Sequence, residues 1–554
     1  MFAKKDELLI MPLGGLEQVG ANSTMIGHDK EWIMVDLGIS FYDKYGIEIL
    51  VPDVSYPAKM RDSLKGIFVT HAHEDHIGSI HYLWEQLKCP IYLTEFPAAV
   101  LRQKFSETEN RDKVPIHIVG PSEPFDVGSF KIEFVPLAHS VVGSCGIYIK
   151  TSAGNIFCTG DWKIDETPLI GDKIDTKRME KIGKDGVDCL LCDSTNVMND
   201  ENIGSETDVK NGLIKVFKQH KNKRITITCF ASNLARIETI LSVARKEGRK
   251  IAIVGRSMHR MIDAVSKTTY FSKNFKAGLS SIVDENEAVD MPPHKVAIIC
   301  TGSQGESRSA LYKIARGENK IVKLGDKDVV VFSSKIIPGN ELGIRELQNL
   351  LIKRGVEIVT SDTHKDIHVS GHPNKEAISM MYKWTKPKSL IPIHGDPYML
   401  HEHQKFALKN GISEVLIAES GDIISLKNRK LQKIGREDVV LNCIDGKDIV
   451  EINGKTIKER AIMSHNGHVG VSFIIDRNDN LMNAPDIVVS GIYITRELEN
   501  KVRTLIYQIV TNEVSLYANT DIDSLKERVK HSVKRLMSKY FSKKPHVSVH
   551  IHKV

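Results

Sequence analysis

The sequence predicts an α/β protein: a strand-rich domain in two separate pieces, a second α/β domain inserted between them, and a small α+β domain after both. Three observations carry this prediction. Short β-rich runs, most of them ending in a polar residue, fill the chain as far as DCLLCDST. A β-α-β alternation takes over across 205–365, and the earlier style returns from IHVSGH through SLIPIHGD. At 554 residues the chain has room for three to four domains of about 150 residues each.

Residues 1–204 make the first piece of the split domain. Its runs are LLIMPLGG, STMIGH, WIMVDLG, KGIFVTHAHEDH, CPIYLTE, FKIEFVPLAHS, CGIYIKT, NIFCTGD and DCLLCDST. Side chains that do chemistry tend to sit at such strand ends, on loops held by a rigid sheet. Residues 205–365 alternate helical patterns (VKNGLIKVFKQHK, ASNLARIETILSVARKEG, GIRELQNLLIKRG) with buried-strand runs (RITITCF, KIAIVG, KVAIIC, DVVVFSS, VEIVT). That alternation indicates a parallel sheet with helices on its faces. Residues 366–424 return to the first domain, and 425–460 read as a polar, turn-rich linker. In 461–554 the spacing of Leu498, Val502, Leu505, Ile506 and Ile509, and of Leu525, Val529, Val533, Leu536 and Tyr540, predicts two helices, while HVSVHIHKV alternates as a strand. The polar face of RVKHSVKRLMSKYFSKK is basic; solvation is its plain reading, with RNA contact or subunit docking as alternatives.

Apolar residues at 41% and charged residues at 26% exclude a disordered chain. The net charge of +6 permits a polyanionic partner without predicting one, so any basic groove must be local. The eight cysteines are scattered singly except for Cys189 and Cys192, which is not a disulfide framework. No second CxxC completes a four-sulfur zinc site, so CLLC reads as two buried strand thiols. Reduced cysteines imply a cytoplasmic address. The opening MFAKKDELLIMPLGG lacks the apolar stretch of a secretory leader, and no run of about 18 apolar residues occurs, so neither secretion nor membrane association is expected.

The chemistry is carried by THAHEDH, where His71, His73, Asp75 and His76 leave the strand KGIFVT directly. Three imidazoles and a carboxylate so close together suit zinc, or manganese as a harder alternative. His139 in FVPLAHS, Asp161 in CTGDWK and His394 in IPIHGD each stand just past an apolar strand and extend the set. Seven ligands exceed one tetrahedral zinc and suit two ions sharing a carboxylate, an arrangement that supplies a nucleophile at neutral pH.

H-x-H-x-D-H followed by separated His, Asp and His resembles the metallo-β-lactamase superfamily and implies its αββα sandwich. Asp36 in IMVDLG matches the superfamily's first-strand aspartate, which supports the metal loop by hydrogen bonding. The interval between Asp161 and His394 is far longer than a compact hydrolase places there and resembles the β-CASP branch, which acts on nucleic acids. Asp193 in LLCDSTN, His368 in IHVSGH and His394 match that branch's later motifs. Within it the chain resembles the bacterial ribonuclease J family along essentially its whole length, on PLGGLEQVGANS, GIEILVPDVSYP, THAHEDHIGSI, TGDWKID, FASNLAR, CTGSQGESRSAL, IHVSGHP and IPIHGD.

The resemblance implies one Zn2+ held by His71, His73, His139 and Asp161 and a second held by Asp75, His76, His394 and the shared Asp161, with Mn2+ or Mg2+ as alternatives in activity. It implies a 5′-to-3′ exoribonuclease, with endonuclease action as a further activity, on single-stranded RNA bearing a 5′ monophosphate, in rRNA maturation and mRNA decay. His368 is the candidate general acid, with Asp193 orienting its ring and Asp75 as the third catalytic candidate; packing or phosphate binding is the alternative for His368. Ser232, Asn233, His368, Val369, Ser370, Gly371 and His372 form the implied phosphate cradle. Arg236 and Lys335 are candidates for a basic channel. Gly46 (by its carbonyl), Glu48 and Asp445 form a candidate structural Ca2+ site, a solvated carboxylate being the other reading of Glu48. Relatives assemble through the tail, so a homo-oligomer, dimer or tetramer, is expected, with a paralogous subunit as a further candidate partner.

Three other readings compete. A β-CASP DNA nuclease would carry the same metal motifs, because discrimination lies in contacts to the 2′-OH. A weakly active paralogue would serve as an assembly or RNA-binding subunit, and a small-molecule hydrolase would need the insertion to be a lid.

Overall fold

The computed structural model describes residues 2–171, 173–201, 203–337, 339–516 and 521–554. They form two units, one made of residues up to 41 with 51–441, the other of 42–50 with the residues from 442 on.

In the larger unit two sheets share one core. The first has eight strands in the order Lys430–Arg436, Asp422–Lys427, Leu8–Gly14, Ser23–His28, Glu31–Val35, Leu64–Phe68, Ile91–Leu93 and Ile116–Ile118. The second has seven, ordered Glu414–Val415, Ser389–Ile393, Cys189–Asp193, Gly154–Cys158, Cys145–Thr151, Phe130–Pro136 and Phe125–Val127. A strand throws alternate side chains to opposite faces, and the inner sets of both sheets interleave: Ile10, Ile26, Ile33 and Phe68 from the first, Phe134, Ile147, Ile156, Leu191 and Ile391 from the second. Phe68 joins the layers, its ring stacked 4.8 Å from Tyr92 and lying 6.4 Å from Phe134 of the opposite sheet. Outward residues of the second sheet, among them Tyr148, Phe157, Leu190 and Cys192, pack with Met179 and Ile182 of helix Thr176–Asp185 and with Ile378 and Met381 of helix Lys375–Thr385. Cys189 therefore points into the inter-sheet core and Cys192 under the helices, and all eight cysteines are buried and free.

Between strands Cys189–Asp193 and Ser389–Ile393 the chain builds a parallel five-stranded sheet, ordered Lys250–Val254, Val296–Cys300, Arg224–Thr228, Asp328–Phe332 and Glu357–Val359. Its strands alternate between two cores. Ile225, Ile227, Ile253, Ile299 and Val331 pack with helices Glu206–Gln219 and Leu234–Lys246, whereas Ala252, Ile298, Val330 and Phe332 pack with Ala310–Arg316 and Glu341–Ile352. A capping box of Ser205 and Asp208 starts the first of these helices. The chain then re-enters the second sheet beside the strand it left, with Asp193 paired to Ile393 in parallel register.

The smaller unit holds the three-stranded sheet Asp486–Ser490, His468–Ile475 and His546–Lys553, one face covered by helices Arg496–Ser515 and Ile522–Phe541 through Val502, Ile506, Val510, Val529, Val533 and Met537. Two boundaries differ from the sequence reading. Residues 425–460 are not a linker: Asp422–Lys427 and Lys430–Arg436 are strands of the eight-stranded sheet, Leu426 pairing with Leu8, and Asn442–Asp445 and Asp448–Glu451 form a hairpin of the smaller unit. Lys430–Arg436 is an edge strand with a wetted face, which accounts for its polar composition, whereas Asp422–Lys427 lies buried between it and Leu8–Gly14. Residues 42–50 belong with the smaller unit, where strand Ile47–Val51 joins that hairpin's sheet and the Tyr45 ring lies 5.9 Å from His465. Among the described residues no helix is long and apolar enough to cross a membrane.

His403, on helix Pro397–Lys409, is fully buried, its Nδ1 2.8 Å from Ser194 Oγ and its Nε2 2.7 Å from the Tyr382 hydroxyl. Burial pushes it down to about 4, against the pull of Asp193. The unfolded chain protonates this ring near about 6.5, so between pH 6.5 and 4 the unfolded state gains a proton that the fold refuses, and stability falls as pH falls. The urea midpoint of the wild-type protein is expected to drop over that window more steeply than that of His403→Gln; parallel pH profiles would contradict it.

Candidate metal centre

Six strand ends meet at one edge of the sandwich. Asp36 follows strand Glu31–Val35, His71 follows Leu64–Phe68, His139 follows Phe130–Pro136, Asp161 follows Gly154–Cys158, Asp193 ends its own strand, and His394 follows Ser389–Ile393. Parallel pairing of the relevant neighbours puts these ends together. The loop carrying His71, His73, Asp75 and His76 is pinned by backbone bonds, Asn22 N donating to Asp75 O at 2.9 Å and Leu37 N to His76 O at 2.8 Å. Gly38 passes so close that a Cβ there would lie 1.7 Å from Asp75 O, so only glycine fits.

Two sets of four donor atoms result. In the first, His73 Nδ1 lies 3.1 Å from His71 Nε2 and 3.0 Å from His139 Nε2, and Asp161 Oδ2 lies 3.6 and 3.7 Å from the same two nitrogens. In the second, His76 Nε2 lies 3.5 Å from Asp75 Oδ2 and 3.2 Å from Asp161 Oδ1, and His394 Nε2 lies 3.0 and 3.6 Å from those oxygens. A tetrahedron of zinc–ligand bonds has edges of about 3.3 Å, so both sets fit a cation at their centre. Asp161 serves both, one oxygen to each, and its Oδ1 is buried with no hydrogen-bond partner among the described residues. That orphaned oxygen is what a bridging ligand requires.

The rings are held from behind. Asp36 Oδ2 lies 2.7 Å from His76 Nδ1, while the same carboxylate accepts from Thr70 N at 2.7 Å and Thr70 Oγ1 at 2.8 Å. His139 Nδ1 donates to Gly371 O at 2.6 Å, and His71 Nδ1 lies 3.0 Å from Thr70 Oγ1. Such outer partners fix the tautomer that leaves the other nitrogen for metal. Asp36 and His394 adopt left-handed backbone, φ +60° and +55°, at roughly 1–3 kcal/mol each. Burial, reinforced by the neighbouring histidines, lowers His71 and His139 well below the usual range, and burial brings His73 to about 4; all three are neutral donors. Burial would do the same to His76 and His394, but the carboxylates around them, Asp161 first, raise both well above it. Asp75 and Asp161 are held well below the carboxylate range, the histidines outweighing desolvation.

One expected pairing is corrected. Asp193 does not orient His368; its Oδ2 lies 2.8 Å from His372 Nδ1, and the His372 ring stacks 5.4 Å from His394 and meets the His139 ring edge-on at 5.3 Å. Both buried ring nitrogens of His368 instead lack a hydrogen-bond partner among the described residues, and burial together with Arg236, Lys335 and Lys163 keeps it well below the histidine range. With His368 and His372 in one five-residue motif, spacing alone does not separate them. Ser370 Oγ accepts from Asn196 Nδ2 at 2.7 Å and from His372 N at 3.2 Å, Val369 is core, and a Cβ on Gly371 would lie 2.8 Å from His139 Cε1. Asn233 is spent as a helix cap, accepting from Arg236 N at 2.9 Å, with Ser232 beside it.

Lys335 is exposed, but Arg236 is not a channel residue: it is fully buried against Glu206 at 2.8 Å, Ser333 O at 2.7 Å and Ile367 O at 3.4 Å. Of the calcium candidates, Asp445 has both carboxylate oxygens paired with Arg460, at 3.0 and 2.5 Å. Residues that sequence reasoning missed are Asn22, Thr70, Thr195 and Asn196, whose roles rest on contacts across long sequence separations.

Comparison with known proteins agrees along the chain. Residues 16–176 match the family described as the metallo-beta-lactamase superfamily, 222–351 the ribonuclease J beta-CASP domain, 356–417 the Zn-dependent metallo-hydrolase RNA specificity domain, and 455–554 the ribonuclease J C-terminal domain. Ribonuclease J of Sinorhizobium meliloti is 35% identical, covering 100% of this chain and 98% of its own length. Ribonuclease J of Synechocystis is 33% identical over 98% of this chain and 86% of its own, and ribonuclease J2 of Bacillus subtilis 30% over 98% and 97%. Among solved structures, a protein of unknown function from Enterococcus faecalis shares the fold, with TM-score 0.56 and 17% identity, covering 76% of this chain and 100% of that one.

Because Asp161 donates to both sets, Asp161→Ala is expected to cut metal retention further than either His139→Ala or His394→Ala. Elemental analysis after dialysis against a weak chelator checks this, and equal retention in all three variants would contradict a shared carboxylate.

Proposed function

The chain belongs to the ribonuclease J family, metal-dependent nucleases of the metallo-β-lactamase fold, and from that premise we propose that it degrades single-stranded RNA from a 5′-monophosphorylated end with two zinc ions bound. The observation that carries this reading is the pair of four-atom donor sets sharing Asp161, with the Asp193–His372 pair alongside. His71, His73, His139 and Asp161 would hold one ion; Asp75, His76, His394 and Asp161 the other. Bound there, the ions supply Lewis acidity toward a phosphodiester and a nucleophile at neutral pH.

The chain's own residues do the rest. Asp193 fixes His372 by its Nδ1 at 2.8 Å, and a ring so held is suited to deliver a proton to the departing 3′ oxygen. His372 thus takes the role that the sequence motif suggested for His368. Ser370 Oγ accepts two hydrogen bonds and, among the described residues, donates none, so its proton is available to a terminal phosphate. Lys335, exposed and close enough to depress His368, adds positive charge near the same segment. Endonucleolytic action, rRNA maturation, mRNA decay, a homo-oligomer and a cytoplasmic address complete the reading; the last is supported by eight free cysteines.

A time course on one RNA bearing a 5′ monophosphate, triphosphate or hydroxyl, with matched DNA and with or without a chelator, tests it. Chelator-sensitive mononucleotide release, fastest from the monophosphate, is expected; no cleavage by metal-loaded protein, or equal cleavage of DNA, would refute it. His372→Ala is expected to lower turnover by about 10²–10⁴-fold with metal retained, and a variant that loses its metal instead would remove the proton-donor role.

A further inference from the structure

Resting on the metal centre just described, we propose that Thr195 is the positioning residue that sets the ring proton of His394 and, through Asp193, ties that metal-facing histidine to His372. Neither sequence motif nor family match assigns it a role. Asp193 Oδ1 accepts from Thr195 N at 2.9 Å and from Thr195 Oγ1 at 2.7 Å, while Oδ2 faces His372 Nδ1. The Thr195 oxygen also lies 2.7 Å from His394 Nδ1 and 3.2 Å from His394 O.

A hydroxyl has one proton. Of the acceptors within its reach the ionised carboxylate oxygen Asp193 Oδ1, at 2.7 Å, is the strongest, and the proton is assigned to it. Thr195 Oγ1 is then an acceptor toward His394, and Nδ1 must carry the ring proton. With a cation in the second donor set, Nε2, 3.0 Å from Asp75 Oδ2 and 3.6 Å from Asp161 Oδ1, would then be the nitrogen that gives it a lone pair. Without the hydroxyl, Nδ1 would look across 3.6 Å to Asp193 Oδ1, beyond a hydrogen bond. Asp36, Gly371 and Thr70 do the comparable service for His76, His139 and His71. Thr195 differs because the carboxylate behind it also holds the proton-donor candidate, so ligand and donor share one anchor.

The test titrates metal-free protein with Zn2+ against a chromophoric chelator. Thr195→Ala is expected to weaken one ion by about 10–100-fold and leave the other within about two-fold, while Thr195→Ser stays within about three-fold of wild type at both. Added to Asp193→Asn, Thr195→Ala should cost little more, because the two changes break one chain of bonds. Thr195→Val, which keeps the shape and drops the hydroxyl, replaces alanine if that variant misfolds by circular dichroism. Wild-type affinity at both ions without the hydroxyl, or fully additive losses, would overturn the proposal. A wild-type protein that binds two ions but does not degrade RNA would refute the exonuclease reading alone; one that binds fewer than two would sink both.

Discussion

Four carboxylates, the buried Asp36, Asp161 and Asp193 and the half-buried Asp75, converge on one edge of the sandwich, and most of the local architecture follows from keeping them there. A buried carboxylate without partners is costly. Here the partners are the five imidazoles of the two donor sets, His372, and the hydroxyls of Thr70 and Thr195. Supplying them demands backbone the chain would not otherwise adopt. Asp36 and His394 are left-handed without being glycine, and Gly38 is pressed against the metal loop. The strain lies at the site, and the interleaved core headed by Phe68 is what resists its release.

The inserted domain is tied to this edge in two ways. Its entry and exit strands are hydrogen-bonded neighbours, Asp193 level with Ile393, so the insertion begins and ends beside the reaction centre. Arg236, buried inside it, binds Glu206, Ser333 and Ile367 at once. Ile367 leads straight into the segment that carries His368, Ser370 and His372. A guanidinium remote from the metal ligands therefore sets where the substrate-facing segment starts, which is why it is buried and not offered to a polyanion.

Much of this was legible in the residues. The residues of the two donor sets stood out because they lie just past strands with strong apolar runs, and strands in a parallel sheet deliver their ends to one edge. The alternation over 205–365 was equally plain, since period and helix spacing are local properties. The pairing of Asp193 was not: His368 and His372 are four residues apart on an extended segment, and only the tertiary path decides which ring reaches the carboxylate. Arg236 misled for a related reason, since a cation in a nucleic-acid enzyme suggests the groove and its buried partner Glu206 lies 30 residues away. The strand Lys430–Arg436 read as part of a linker because an edge strand is polar on its wetted side.

The eight-stranded sheet takes its two outermost strands on one flank from the far end of the larger unit. Leu8 pairs with Leu426, so during synthesis the first strand of the protein emerges long before its neighbour exists. Until then Leu8–Gly14 is an open apolar edge, the kind of surface that recruits strands from other chains. Residues 42–50 wait longer still for the hairpin at 442–451. A nascent chain of this protein thus carries unmatched strand edges through most of its translation, and truncation anywhere before residue 427 leaves one of them permanently exposed.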